Sequence, residues 1–78
     1  MMEEFVWNFT SPYQLWIKLI DSGKEIIVNG KIGQDNSTFY VSQNDIINSG
    51  FLSPHESISL METLSNRTRN DRVRIVFV

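Results

Sequence analysis

The stretch from Gln14 to Ile32 is the feature that most constrains the fold of this chain. Two runs of β-branched and apolar residues flank the tetrapeptide Asp21-Ser22-Gly23-Lys24. Asp hydrogen-bonds to nearby backbone in turns, and Gly readily adopts the positive φ of a bulged hairpin loop. The pattern therefore predicts a β-hairpin on which the rest of a small sheet is assembled.

Alternation along the two arms of this hairpin predicts which side chains form the core. The inner face would carry Leu15, Ile17, Leu19, Ile26 and Val28. The opposite face would carry Trp16, Lys18, Ile20 and Ile27. Because the second face is also rich in apolar side chains, one layer of helices is not expected to bury every apolar residue of the sheet.

A helix over residues 12–22 is the alternative to the first arm of the hairpin. Ser11 could cap such a helix, with Pro12 at its first position and Gly23 just past its end. However, the β-branched residues lower helix propensity, and apolar residues at 15, 16, 17, 19 and 20 leave no polar face. We therefore predict a strand in this region.

Further strands are predicted on both sides of the hairpin. Phe5–Phe9 alternates strictly, and Thr38–Val41 is a short β-rich run after a polar loop that we place at residues 30–37. The last predicted strand is Arg72–Val78, which follows a polar loop. Its inner face would carry Val73, Ile75 and Phe77.

Two helices are predicted between the last two strands. The first is short, contains Ile46 and Ile47, is capped by Ser42, and ends before a left-handed Gly50. The second begins at Ser53-Pro54-His55-Glu56, where Ser caps, Pro occupies the first position and Glu bonds back to the cap. It should extend to about Asn66. Its buried stripe would be Ile58, Met61 and Leu64.

The element order β-β-β-β-α-α-β predicts an α+β fold in a single domain over residues 1–78. A small antiparallel sheet of three to five strands would carry both helices on one face. The chain has 78 residues and no Cys. Neither a disulfide nor a thiolate metal site can therefore compensate for a small core, so good packing or self-association must stabilise it.

Residue usage also bears on where the protein acts. No apolar run approaches the roughly 18–20 residues of a membrane span, and the start Met1-Met2-Glu3-Glu4 lacks the basic residues of a secretion signal. We therefore expect a cytoplasmic protein without a membrane partner. The lack of Ala and the abundance of Ile, Asn and Ser suggest AT-rich coding DNA, as in many phages and mobile elements.

The sequence predicts neither an enzyme nor a cofactor or metal site. His55 is the sole His that could activate a Ser nucleophile, and it belongs to a helix N-terminus. The acidic residues are scattered mostly singly along the chain. Gly30-Lys31-Ile32-Gly33 has the spacing of a nucleic-acid-binding KH loop but lacks the helices that flank such a loop.

Positive charge is concentrated in the last residues of the chain. Residues 1–65 contain three Lys and eight acidic residues, whereas residues 66–78 contain four Arg and one Asp. The planar guanidinium suits phosphates and carboxylates, so this cluster could bind nucleic acid or an acidic partner. Alternatively, the charges only keep a loop and an edge strand solvated. The acidic remainder of the chain would repel a phosphate backbone.

An exposed apolar face combined with Arg favours a non-catalytic, protein-binding function. The predicted binding residues are Trp16, Lys18, Tyr40, Arg67, Arg69, Arg72 and Arg74. The leading hypothesis is a phage or mobile-element accessory protein that inhibits a host protein by occupying its surface, or that forms a homodimer. The alternative is a small nucleic-acid-binding module that uses the Arg cluster.

Overall fold

The computed structural model describes residues 4–78, so the acidic start Met1–Glu3 lies outside the described residues. The described residues follow the predicted α+β order. The elements are β1 (Phe5–Ser11), β2 (Gln14–Leu19), β3 (Glu25–Ile32), β4 (Thr38–Val41), α1 (Gln43–Ile47), α2 (Pro54–Arg67) and β5 (Arg74–Phe77).

The five strands form one curled sheet in the order β1-β2-β3-β4-β5. Neighbouring strands are antiparallel except β4 and β5, which are parallel because both helices lie in the connection between them. The curl is strong enough for Phe9 on β1 to contact Phe39 on β4. Their ring centroids are 5.1 Å apart in an edge-to-face arrangement.

The predicted hairpin is confirmed, and the alternative helix over residues 12–22 is wrong. Trp16 on β2 lies opposite Ile27 on β3, and the Leu19 N–H donates to the Lys24 carbonyl at 2.8 Å across the turn. Gly23 has a φ of 73°, the positive value that the turn requires. The alternation also holds. The inner residues Leu15, Ile17, Leu19, Ile26 and Val28 are all buried.

Strand β3 continues through Gly30, so our prediction that a loop begins at residue 30 was wrong. Residues 25–29 pair with β2, whereas residues 30–32 pair with β4. A Cβ at Gly30 would lie 2.5 Å from Cε1 of Phe39, closer than carbon atoms can approach. The glycine is therefore needed for close packing in the strand.

Helix α2 packs on the concave face of the sheet, and two of the three predicted stripe residues, Met61 and Leu64, are confirmed as buried. Its buried residues are Ser57, Leu60, Met61 and Leu64. Ile58 is 51% exposed, so its assignment to the core was wrong. Positions 57, 60, 61 and 64 share one face of a helix, and position 58 is turned about 100° from the start of that stripe.

Side-chain caps were predicted at the start of both helices, and only one of the two is present. The capping box of α2 is confirmed: Glu56 N–H donates to Ser53 Oγ at 3.2 Å, and Ser53 N–H donates to Glu56 Oε1 at 3.1 Å. Ser42 makes no side-chain cap, so that prediction was wrong. The first amide of α1, that of Gln43, donates instead to the Val78 carbonyl. Gly50 has the expected positive φ of 83°.

Strand β5 begins at Arg74, so the prediction that it begins at Arg72 was wrong. Its edge is covered by two hydroxyl groups from the C-terminal part of α2 and the residue after it. The Ile75 N–H donates to Thr68 Oγ1 at 3.0 Å, and the Ser65 hydroxyl donates to the Ile75 carbonyl at 3.1 Å. The Thr68 hydroxyl in turn donates to the Leu64 carbonyl at 2.8 Å. These bonds hold the helix end against the strand.

We predict that Gly30→Ala destabilises the fold by about 3 kcal/mol, because the added methyl would overlap the fully buried Phe39 ring. Gly23→Ala is the matched control. Nothing lies within 4 Å of the new methyl there, and only the positive φ opposes it, at about 1 kcal/mol. Urea unfolding measures both free energies. An equal or smaller loss for Gly30→Ala would contradict the packing role.

We also predict that Thr68→Val lowers the free energy of unfolding by about 2 kcal/mol, because it leaves the buried Ile75 N–H without an acceptor. Thr68→Ser keeps the hydroxyl and should lose less. Thr63→Val is the control, since the Thr63 hydroxyl bonds only to the Ser59 carbonyl of its own helix. Comparable losses for the two Val variants would show that the edge contact is unimportant.

Candidate interaction surface

The face of the sheet that points away from the helices carries exposed apolar side chains. We define the outer apolar patch as Val6, Trp16, Ile20 and Ile27. Trp16 is partly exposed and lies directly opposite Ile27, which is 62% exposed. Because α1 and α2 pack on the other face, no element among residues 4–78 covers this patch.

Trp16 is oriented within the outer apolar patch by a hydrogen bond. Its indole Nε1 donates to Glu25 Oε1 at 2.7 Å. Lys18 lies between Trp16 and Ile20 on the same face of the sheet, opposite Val6 on β1 and Glu25 on β3, so one cation lies within the patch and one anion lies beside it. An oriented aromatic ring among aliphatic side chains, with few charges, is typical of protein-binding surfaces.

A second group of side chains, basic and aromatic, lies further along the same face. Tyr40 on β4 is opposite Lys31 on β3 and Val76 on β5. Arg74 lies on β5 two residues before Val76. We call Lys31, Tyr40 and Arg74 the basic aromatic patch. Lys31 is four residues beyond Ile27, roughly 13 Å along a strand, so the two patches are separate.

Asp35 places negative charge beside the basic aromatic patch. Its carboxylate accepts the Ser37 N–H at 3.0 Å and the Thr38 hydroxyl at 3.2 Å. These hydrogen bonds, first of all the one from the Ser37 backbone, hold the pKa of Asp35 below its usual value. Arg74 Nη2 donates to the same Thr38 hydroxyl at 3.4 Å. The neighbouring carboxylate therefore opposes binding of a phosphate at Arg74.

The other arginines of the predicted cluster lie apart from Arg74. The Arg67 guanidinium lies 5.4 Å from the centroid of the Phe5 ring, on β1 at the opposite edge of the sheet. Arg69 and Arg72 are exposed between α2 and β5. The four arginines are thus close in sequence, but Arg67 and Arg74 contact different strands.

The structure groups some of the predicted binding residues and separates others. Trp16 and Lys18 share the outer face of β2, and Tyr40 lies near Arg74 at the basic aromatic patch. Sequence analysis missed Lys31, because the strand was ended before it. It also missed Val6, although strict alternation in Phe5–Phe9 indicates that Val6 points outward.

His55 lies in the first turn of α2, and the residues beside it cap the start of that helix. Ser53, the nearest hydroxyl in sequence, already accepts the Glu56 N–H in the capping box. The hydrogen bond from the Ser53 N–H holds the pKa of Glu56 below its usual value. In the part of the chain that the structure describes, no three His, Asp or Glu side chains are grouped as metal ligands would be. No helix of residues 4–78 has the length and apolar character needed to cross a membrane.

A groove on the helical side is another apolar surface feature. It runs between α2 and β5, and Ile58, Met61 and Phe77 contribute its apolar surface. Its remaining lining residues are Gln43, Glu62, Ser65, Asn66 and Val76. This groove provides a test surface that lies on the opposite side of the sheet from the outer apolar patch.

Comparison of the chain with protein-family models, with curated proteins and with solved structures finds no match.

Proposed function

We propose that this protein is a non-catalytic, protein-binding domain that uses the outer apolar patch. The observation that supports the proposal is the one-sided arrangement of the fold. Helix α2 covers the concave face of the sheet, whereas Val6, Ile20 and Ile27 on the convex face are 44%, 49% and 62% exposed. Several exposed apolar side chains on one face of a sheet are characteristic of sites that bind other proteins.

The arrangement of the patch indicates what it binds. The Trp16 ring is already oriented by Glu25, so little side-chain entropy is lost when a partner contacts it. Lys18 and Glu25 carry opposite charges and provide no strong field for a highly charged ligand. The matching partner surface is therefore an apolar depression on another protein, with a polar rim.

The finer hypothesis concerns the biological role. We propose a phage or mobile-element accessory protein that acts in the cytoplasm and inhibits a host protein by covering its functional surface. This rests on the residue usage of the chain, which has no Ala or Cys and is rich in Ile, Asn and Ser. Inhibition by coverage requires shape complementarity and no catalytic group.

We predict that Ile27→Ser weakens retention of a host protein captured from extract at least tenfold, because it removes the apolar side chain that lies directly opposite Trp16. Ile58→Ser is the matched control: it makes the same chemical change at a similarly exposed site on the helical side. Captured proteins are identified by mass spectrometry, and affinity is measured by surface plasmon resonance. Loss of binding with Ile58→Ser alone would assign recognition to the groove between α2 and β5.

A second candidate function, binding of single-stranded nucleic acid, is favoured by the basic aromatic patch. The strand register places Tyr40 beside Lys31, with Arg74 on the same face. Proteins that bind single strands combine an aromatic ring that stacks on a base with nearby cations that contact phosphates. The Asp35 carboxylate and the acidic net charge of the chain oppose this function.

If this second function is correct, an oligonucleotide should bind at low salt and be released steeply between about 50 and 200 mM salt. Arg74→Gln should weaken binding more than Arg67→Gln, since Arg67 lies over Phe5 near the other edge of the sheet. Fluorescence anisotropy with labelled DNA and RNA measures both. Equal effects of the two variants, or no binding at low salt, would contradict a site at the basic aromatic patch.

A further inference from the structure

The outer edge of β1 has no partner strand within residues 4–78. β1 is the first strand of the sheet and pairs only with β2. The Ile20 N–H donates to the Glu4 carbonyl directly opposite, at 2.9 Å, which makes these two residues a hydrogen-bonded pair. Hydrogen-bonded and non-hydrogen-bonded pairs alternate in an antiparallel ladder. The residues at alternate positions beginning with the one after Glu4 therefore direct their backbone groups away from β2. These residues are Phe5, Trp7 and Phe9.

The two edges of the sheet differ in how their backbone groups are satisfied. At β5, hydroxyls of Ser65 and Thr68 bond to the carbonyl and amide of Ile75. At β1, no side chain of the described residues bonds to the corresponding groups. Phe5–Phe9 contains no Pro and no charged residue, two devices by which natural edge strands avoid pairing, and the register shift of β1 lies beyond this segment, between Phe9 and Ser11.

We infer that β1 pairs edge to edge with β1 of a second copy of this chain, forming a homodimer with a continuous ten-stranded sheet. The pairing is antiparallel and is centred on Trp7, which lies opposite Trp7 of the second copy. Phe5 then lies opposite Phe9 of the second copy. This is the register in which all three outward-facing residues exchange backbone hydrogen bonds.

A second copy fits this edge better than an arbitrary strand because β1 is complementary to itself. Its aromatic residues are evenly spaced about Trp7, so antiparallel pairing places the partly exposed Trp7 opposite Trp7 of the second copy, and such cross-strand aromatic pairs are stabilising. On the outer face, Val6 lies opposite Asn8 of the second copy. No like charges meet within Phe5–Phe9.

Charge substitutions at Val6 and Asn8 test both the interface and its register. Both side chains are exposed on the outer face, so neither change disturbs the core. The double variant Val6→Glu with Asn8→Glu places like charges opposite each other twice in the dimer. Val6→Glu with Asn8→Lys is the matched control, since it places opposite charges at the same two positions. Sedimentation equilibrium measures the dissociation constant, and circular dichroism confirms folding.

The wild-type chain is expected to sediment as a dimer, with amides of Phe5, Trp7 and Phe9 protected from hydrogen exchange. The like-charge variant should raise the dissociation constant about tenfold, whereas the opposite-charge variant should not raise it. A wild-type chain that is monomeric at several hundred micromolar would overturn the inference. So would equal dissociation constants for the two variants.

This inference does not depend on the proposed protein-binding function. Ile27 lies on β3, separated from the free edge by β2, so Ile27→Ser is expected to leave the dimer unchanged. Loss of partner capture with an intact dimer therefore supports the function at the outer apolar patch. A monomeric wild-type chain that still captures its partner identifies failure of the edge pairing alone.

Discussion

The packing of the Phe39 ring against the bare backbone of Gly30 is the contact on which the shape of this domain depends. At Gly30, strand β3 stops pairing with β2 and begins pairing with β4. A glycine at that position allows the sheet to bend over a large side chain, which then also meets Phe9 from β1. The curl makes one face of the sheet concave, and α2 together with Ile46 of the short α1 completes the core on that side. Within residues 4–78, no element covers the convex face.

The small amount of helix also explains why the backbone groups at the two edges of the sheet are satisfied differently. Only the last turns of α2 and the residue after it reach an edge, where Ser65 and Thr68 substitute for a neighbouring strand at β5. Small hydroxyl side chains can do this because they donate and accept within the short distance between a helix and a strand edge. β1 forms the other edge of the sheet, where the Arg67 guanidinium lies over the Phe5 ring. That contact satisfies no backbone group, so the backbone of β1 depends on water or on another chain.

Sequence predicted those parts of the fold that local chemistry determines. The hairpin, the alternation of its arms and the capping box of α2 each depend on residues close together in sequence. The wrong predictions concern positions whose local structure is determined by a residue that is distant in sequence. Gly30 signals a loop by composition, but Phe39 makes it part of a strand. By spacing alone, Ile58 and Ser57 both fit a helical stripe with Met61 and Leu64. Packing against the sheet determines that Ser57 is the buried one.

The candidate surface likewise has parts that local sequence predicts and parts that depend on distant contacts. Trp16 and Lys18 follow from alternation within one strand, so their shared face was predictable. Four arginines within eight residues suggested one site, but the turn between α2 and β5 intervenes, and Arg67 and Arg74 contact opposite ends of the sheet. The contact of Trp16 with Glu25 depends on the register of two strands, for which a sequence of this kind carries no direct signal.

The two-fold symmetry of the inferred dimer relates the free edge of β1 to the outer apolar patch. An antiparallel pairing of two identical edge strands has its two-fold axis perpendicular to the sheet, so the outer faces of both copies point the same way. Val6 adjoins the edge, and Trp16 and Ile27 lie one and two strands further in, so the two outer apolar patches would join across the β1 strands. The basic aromatic patches, near β4 and β5, would lie at the distant ends of the sheet. Dimerisation would thus double the apolar surface offered to a partner while keeping the two Arg74 side chains apart, which favours protein over nucleic acid as the ligand of the joined face.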